Sequence, residues 1–113
     1  MRAALIGLGM VSRTYGDALR NTNKVSLATV YAKSVESRAA FLHDWPDLGA
    51  TAAESIGQIA ASDVDFVILT TPPNARAEIV AMLAKAGKPI LMEKPIERTL
   101  ENATTLVQTC EAA

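Results

Sequence analysis

The stretch Arg2-Ala-Ala-Leu-Ile-Gly-Leu-Gly-Met-Val-Ser12 decides the fold. Ala3 to Ile6 is an unbroken apolar run, the pattern of a strand buried on both faces of a parallel sheet. It stops at Gly7-Leu8-Gly9, where the backbone can turn tightly and no side chain keeps a ligand away. Val11, Tyr15, Ala18 and Leu19 follow at i, i+4, i+7 and i+8, which predicts a helix with those residues on its inner face. A strand, a glycine turn and a helix N-terminus form an anion site, because first-turn amides point outward and the helix dipole favours negative charge. The reading is a dinucleotide-binding βα turn. Ser12 stands where the third glycine or alanine of that fingerprint is expected, a small enlargement at a position that serves helix–strand packing.

The remainder of the chain repeats the alternation. Val25 to Tyr31 reads as a second strand, and Ser34 caps a helix with Val35, Ala39 and Leu42 on one face. Trp45-Pro46 ends that helix, since a residue before proline leaves the α region, and Trp45 anchors the junction. Gly49 to Ala53 is at best a stub of strand. Thr51 and Glu54 have capping-box spacing ahead of a short helix with Ile56 and Ile59. Phe66 to Thr70 is the next buried strand, closed by Thr71-Pro72-Pro73-Asn74 with Asn74 as the cap. A helix follows with Ile79, Val80, Leu83 and Ala86 on one side, ending at Gly87. Pro89 to Met92 is a brief strand before Glu93-Lys94-Pro95, and Thr99 opens a last helix with Leu100, Ala103, Val107 and Cys110 inward.

Five strands alternating with helices predict an α/β, Rossmann-type doubly wound parallel sheet of order 3-2-1-4-5. Ligands bind such sheets beyond the C-terminal strand ends. That edge collects four loops: Gly7–Ser12, Ala32–Ser34, Thr71–Asn74 and Glu93–Pro95. The chain has 113 residues, one domain in length. Its last residues run in a helix with no closing sixth strand, so the expectation is an N-terminal fragment, residues 1–113, of a longer two-domain protein that lacks its substrate domain.

Composition narrows the partners. A net charge of −1 gives no reason to expect nucleic acid or an anionic membrane surface. Cys110 is the single cysteine, which excludes a disulfide framework and any cysteine metal site, and no metal is expected. No apolar run approaches a membrane span, and no signal peptide precedes the first strand, so a cytoplasmic location is expected. His43, the one histidine, reads as a surface residue away from the ligand edge.

Lys94 ends the fifth strand at the ligand edge. There it can exchange a proton or hold a substrate hydroxyl, with partial burial lowering its pKa and Glu93 setting its orientation. Taken alone, Glu93-Lys94 reads more readily as a solvated pair starting a loop. After the second strand, Tyr31-Ala32-Lys33-Ser34 carries alanine about where an NAD site wants an acid for the ribose hydroxyls. Lys33 would attract a 2′-phosphate and Ser34 would donate to it, so NADP is expected over NAD; the alternative is a solvated lysine beside a capping serine.

The glycine turn, the Thr71-Pro-Pro-Asn74 turn and Glu93-Lys94-Pro95, in that order and spacing over essentially the whole chain, resemble the Gfo/Idh/MocA family of nicotinamide-dependent oxidoreductases. The resemblance implies cofactor binding by Gly7, Gly9, Met10, Val11, Thr71, Pro72, Asn74, Glu93 and Lys94, and a catalytic role for Lys94. It implies hydride transfer between NAD(P) and a sugar- or polyol-like carbinol or carbonyl, in a parent that oligomerises through the missing domain; the isolated chain is expected to be inactive. Arg76 stands where the resemblance implies a frequent histidine shortly after the Thr-Pro turn, and it reads as a solvent-facing first-turn residue. The alternative is a non-catalytic NADP-binding sensor or regulator of the same architecture, which Lys94 argues against.

Overall fold

The computed structural model describes residues 1–71 and 76–92, with Met10 and Val11 described by their backbone alone. The elements are β1 (Arg2–Ile6), α1 (Met10–Arg20), β2 (Ser26–Tyr31), α2 (Val35–Asp44), a 3-10 turn (Pro46–Leu48), β3 (Thr51–Ala52), α3 (Ile56–Ala60), β4 (Phe66–Leu69), α4 (Arg76–Lys85) and β5 (Ile90–Met92). The strands form one sheet of order β3-β2-β1-β4-β5 with every pairing parallel, as the alternation predicted. Asn74 and the final helix lie outside the described residues.

β1 sits at the centre because it can be buried on both sides. Ala4 and Ile6 join Val67, Leu69, Ile79, Val80 and Leu83 in the core beneath α3 and α4. Ala3 and Leu5 point the other way, to Leu19, Leu27, Val30, Phe41, Trp45 and Ile68 beneath α1 and α2. The two-residue alternation of a strand thus builds two cores from one segment.

Sequence periodicity misplaced several inner faces. Ala18 is exposed, and the buried side of α1 runs through Ser12, Gly16 and Leu19. On α2 it is Phe41 that is buried, while Val35 is 65% exposed and Ala39 is also outside. On α4 the inward alanine is Ala84, with Ala86 exposed. Gly87 ends that helix as expected: its N–H donates to Ala84 O and the Lys88 N–H donates to Leu83 O, a Schellman pair. The cap of α3 is Ser55, whose hydroxyl accepts from Gln58 N at 3.1 Å while Gln58 Oε1 accepts from Glu54 N. Thr51, predicted for that role, lies in β3 and is spent on the sheet, its hydroxyl bonded to Ala28 O.

Trp45 locks the α1–α2 layer. The indole is 5% exposed, stacks on Phe41 with ring centroids 4.9 Å apart, and donates from Nε1 to Asp17 Oδ1. It lies so close to Gly16 that a Cβ there would come within 2.5 Å of the ring. Arg13 and Arg20 both place guanidinium groups over the ring and pair with Asp44 and Asp47. The Arg20 hydrogen bonds hold the Asp47 carboxyl below the usual carboxylate range, and Asp47 in turn raises Arg20.

The N-terminal ends of the strands are stitched together through side chains and backbone. Arg2 N donates to Asp65 Oδ2 and the Arg2 guanidinium pairs with Asp63. Lys88 Nζ donates to Ser62 O at 2.6 Å and to Val64 O at 3.1 Å. The Met1 ammonium donates to Lys24 O. No helix among the described residues is long and apolar enough to cross a membrane.

Candidate functional site

The opposite edge, where the strands end, carries a cavity of about 760 Å³. Its wall includes Gly7 after β1, Lys33 after β2 and Thr71 after β4, three of the residues expected to meet a cofactor. Tyr31 and Ala32 complete the β2 side; Ile56, Ile79 and Met82 supply an apolar surface from α3 and α4.

The two glycines serve different ends. Gly7 has φ +94°, and a Cβ there would lie 2.8 Å from Thr71 N. Its N–H donates to Tyr31 O, and its carbonyl accepts from the Thr70 hydroxyl at 2.6 Å. Gly7 is therefore required by the chain itself, because β1 and β4 meet there. Gly9 is the N-cap of α1 with extended backbone (φ −82°, ψ −160°), and a Cβ on it would meet no atom within 4 Å. That face is open to a ligand. The first turn of α1 holds no acidic side chain to compete for the helix dipole. Met10 and Val11 begin this helix, as the reading of the turn requires. Ser12, 1% exposed, fits the third-glycine position because its hydroxyl folds back onto Gly9 O.

Lys33 and Ser34 part company. Lys33 lines the cavity, whereas Ser34 caps α2: its Oγ accepts from Ser37 N at 3.2 Å and donates to Glu36 Oε2 at 2.9 Å. Glu36 is held below the normal carboxylate range, first by its own backbone amide and then by Ser34, so it is ionised at neutral pH. Sequence reading noted Ala32 in place of an acid but missed that Glu36 stands two residues beyond the serine. Arg38 braces the same wall, with its guanidinium 5.4 Å from the centroid of the Tyr31 ring and Nη1 donating to Ala53 O.

Thr71 Oγ1 is buried and has no hydrogen-bond partner among the described residues. An orphaned hydroxyl in a cavity wall costs free energy unless something in the cavity satisfies it. This atom, open Gly9 and the Lys33 cation fit a polar, anionic ligand that spans the edge. Arg76 departs from expectation. It is 2% exposed, not solvent-facing, and its Nε donates to Thr71 O at 3.0 Å. A buried cation leaves no signature in local periodicity. His43 is exposed, as expected. Pro72, Asn74, Glu93, Lys94 and Pro95 lie outside the described residues. Among the described residues no group of His, Cys, Asp and Glu side chains is placed to hold a metal.

A family profile described as an oxidoreductase family with an NAD-binding Rossmann fold, GFO_IDH_MocA, matches residues 1–113. The chain belongs to the Gfo/Idh/MocA family. It is 31% identical to inositol 2-dehydrogenase of Rhodococcus erythropolis over 114 residues, covering 100% of this chain and 32% of that protein. It is 32% identical to the rhizopine catabolism protein MocA of Rhizobium meliloti, covering 97% of this chain and 34% of that one. The crystal structure of the WlbA dehydrogenase of Chromobacterium violaceum, in complex with NADH and UDP-GlcNAcA, superposes with a TM-score of 0.88 at 25% identity over 99% of this chain and 32% of that chain. The chain thus spans about a third of the length of the Gfo/Idh/MocA relatives it matches. The expected fold and the expected family both stand.

Proposed function

We propose that residues 1–113 form the cofactor domain of an NADP-preferring dehydrogenase that acts on a sugar- or polyol-like substrate, in a longer two-domain protein. The cavity that brings Gly7, Lys33 and Thr71 to one sheet edge, with Ala32 in place of an acid, carries this reading. Gly9 leaves room for a pyrophosphate at the N-terminus of α1, and Gly7 with Met10 and Val11 sets the turn beneath it. The family resemblance assigns Pro72, Asn74 and Glu93 to cofactor contacts as well, with Glu93 and Lys94 serving the nicotinamide end. When bound, the dinucleotide supplies hydride exchange at its nicotinamide. Lys94, neutral in its basic form, takes the proton of the substrate hydroxyl during oxidation and returns it during reduction. Relatives named for inositol oxidation support the polyol class. Oligomerisation belongs to the domain beyond residue 113, and the single cysteine accords with the cytoplasm.

Two experiments test this. Calorimetric titration is expected to show tighter binding of NADPH than of NADH. Lys33→Ala should weaken NADPH by roughly 1.5- to fivefold, the worth of one exposed charge pair, and leave NADH unchanged. Equal or tighter NADH binding by the unmodified chain would remove the NADP preference and favour Glu36 as a ribose-hydroxyl acceptor. In the full-length polypeptide, Lys94→Ala should lower kcat by about 10²–10⁴-fold while dinucleotide binding persists. Unchanged turnover would exclude Lys94 as the proton-transfer group, and absence of turnover by the unmodified full-length polypeptide would return the sensor reading.

A further inference from the structure

Arg76 sits where a charged side chain is hardest to explain by packing. It is the first residue of α4, so its cation lies near the positive end of a helix dipole, and it is 2% exposed. Its Nε donates to the carbonyl of Thr71, five residues back. Thr71 in turn abuts Gly7, with its N atom 2.8 Å from where a Cβ on Gly7 would stand. Thr71 also lines the cavity and keeps a buried Oγ1 with no partner among the described residues. A continuous path therefore runs from the Arg76 guanidinium through Thr71 to the glycine turn.

We infer that Arg76 is a positioning residue for the dinucleotide: it fixes Thr71 so that the orphaned hydroxyl serves the bound ligand, and it places positive charge behind the phosphate-binding edge. The inference rests on the cofactor-domain reading above. A planar guanidinium suits the task, because it donates to a carbonyl while keeping its charge. The role is indirect. Arg76 acts through Thr71.

The test is a double-mutant cycle on the chain, followed by ¹⁵N-detected NMR titration with NADPH, which reads weak binding directly. Thr71→Val and Arg76→Met should each raise the NADPH dissociation constant about tenfold. The double variant should be no more than about twofold weaker than the worse single variant, since both changes disable one device. Arg76→Gln, which keeps an N–H for the Thr71 carbonyl without the charge, should recover part of the loss and separates hydrogen bond from charge; it also carries the test if Arg76→Met fails to fold. A residue that merely stabilised the fold would shift thermal unfolding but add its binding effect independently of Thr71. Additive losses, or a folded Arg76 variant that binds NADPH as the unmodified chain does, would overturn the inference. Absence of dinucleotide binding by the unmodified chain overturns the cofactor-domain reading itself, and this inference with it, so the two failures are distinguishable.

Discussion

Gly7→Ala is expected to be the most damaging single substitution at the binding edge. Holding a residue other than glycine at φ +94° costs about 1–3 kcal/mol, and driving a methyl group toward the Thr71 backbone adds an overpacking cost of similar size. The sum, roughly 2–6 kcal/mol, is a large part of the about 5–15 kcal/mol that holds a domain folded. Relief is hard to find, because the atom in the way is main chain: Thr70 is pinned by its N–H to Ile6 O at 2.9 Å and by its hydroxyl to Gly7 O. Urea unfolding followed by circular dichroism should show the loss, and NADPH binding should vanish with it. Gly9→Ala is the control. Nothing opposes a methyl group there, so stability should hold within about 1 kcal/mol while cofactor affinity falls. If both alanine variants unfold alike, the division of labour between the two glycines is wrong.

Trp45→Ala is expected to cost about 3–5 kcal/mol, the usual consequence of emptying a large aromatic from a core. The indole fills the space over Gly16, stacks on Phe41 and carries two guanidinium groups on its ring, so α1, α2 and the 3-10 turn lose their common contact at once. Neither Trp45 nor the side chains it touches line the cavity. Folded molecules of the variant should bind NADPH as the unmodified chain does, with the midpoint of urea unfolding sharply lowered. A drop smaller than about 1 kcal/mol would mean that the neighbouring side chains close the gap, contrary to the tight Gly16 contact.

These two residues also mark what could be read without coordinates. β1 and β4 were legible because a strand buried on both faces has no choice but an unbroken apolar run, and the glycine turn after β1 follows from that. The sheet order and the clustering of Gly7, Lys33 and Thr71 came with the parallel alternation. The inner faces of the helices were less legible. α2 presents Phe41 inward because Trp45 waits there, and Trp45 is there because Gly16 on another helix makes room. A contact between residues 29 positions apart cannot be recovered from spacing within either helix. The cap of α3 slipped from Thr51 to Ser55 because β3 claims Thr51 for its ladder. Arg76 was invisible for another reason: periodicity sorts residues by polarity, and a cation paired with a carbonyl beneath the surface violates the sorting rule.

The stitching at the N-terminal ends of the strands has an evolutionary meaning. Arg2, Asp65 and Lys88 hold the registers of β1, β4 and the approach to β5 by bonds that involve no residue of the cavity. Loops at the other end can change length, charge or ligand preference without transmitting the change into the sheet, much as the keys of an instrument can be recut while its frame stays bolted. Lys33 is such a key. Gly7 is not, because there the frame itself reaches the ligand edge, and a lineage that altered its cofactor would be free to rewrite the turn after β2 long before it could touch the turn after β1.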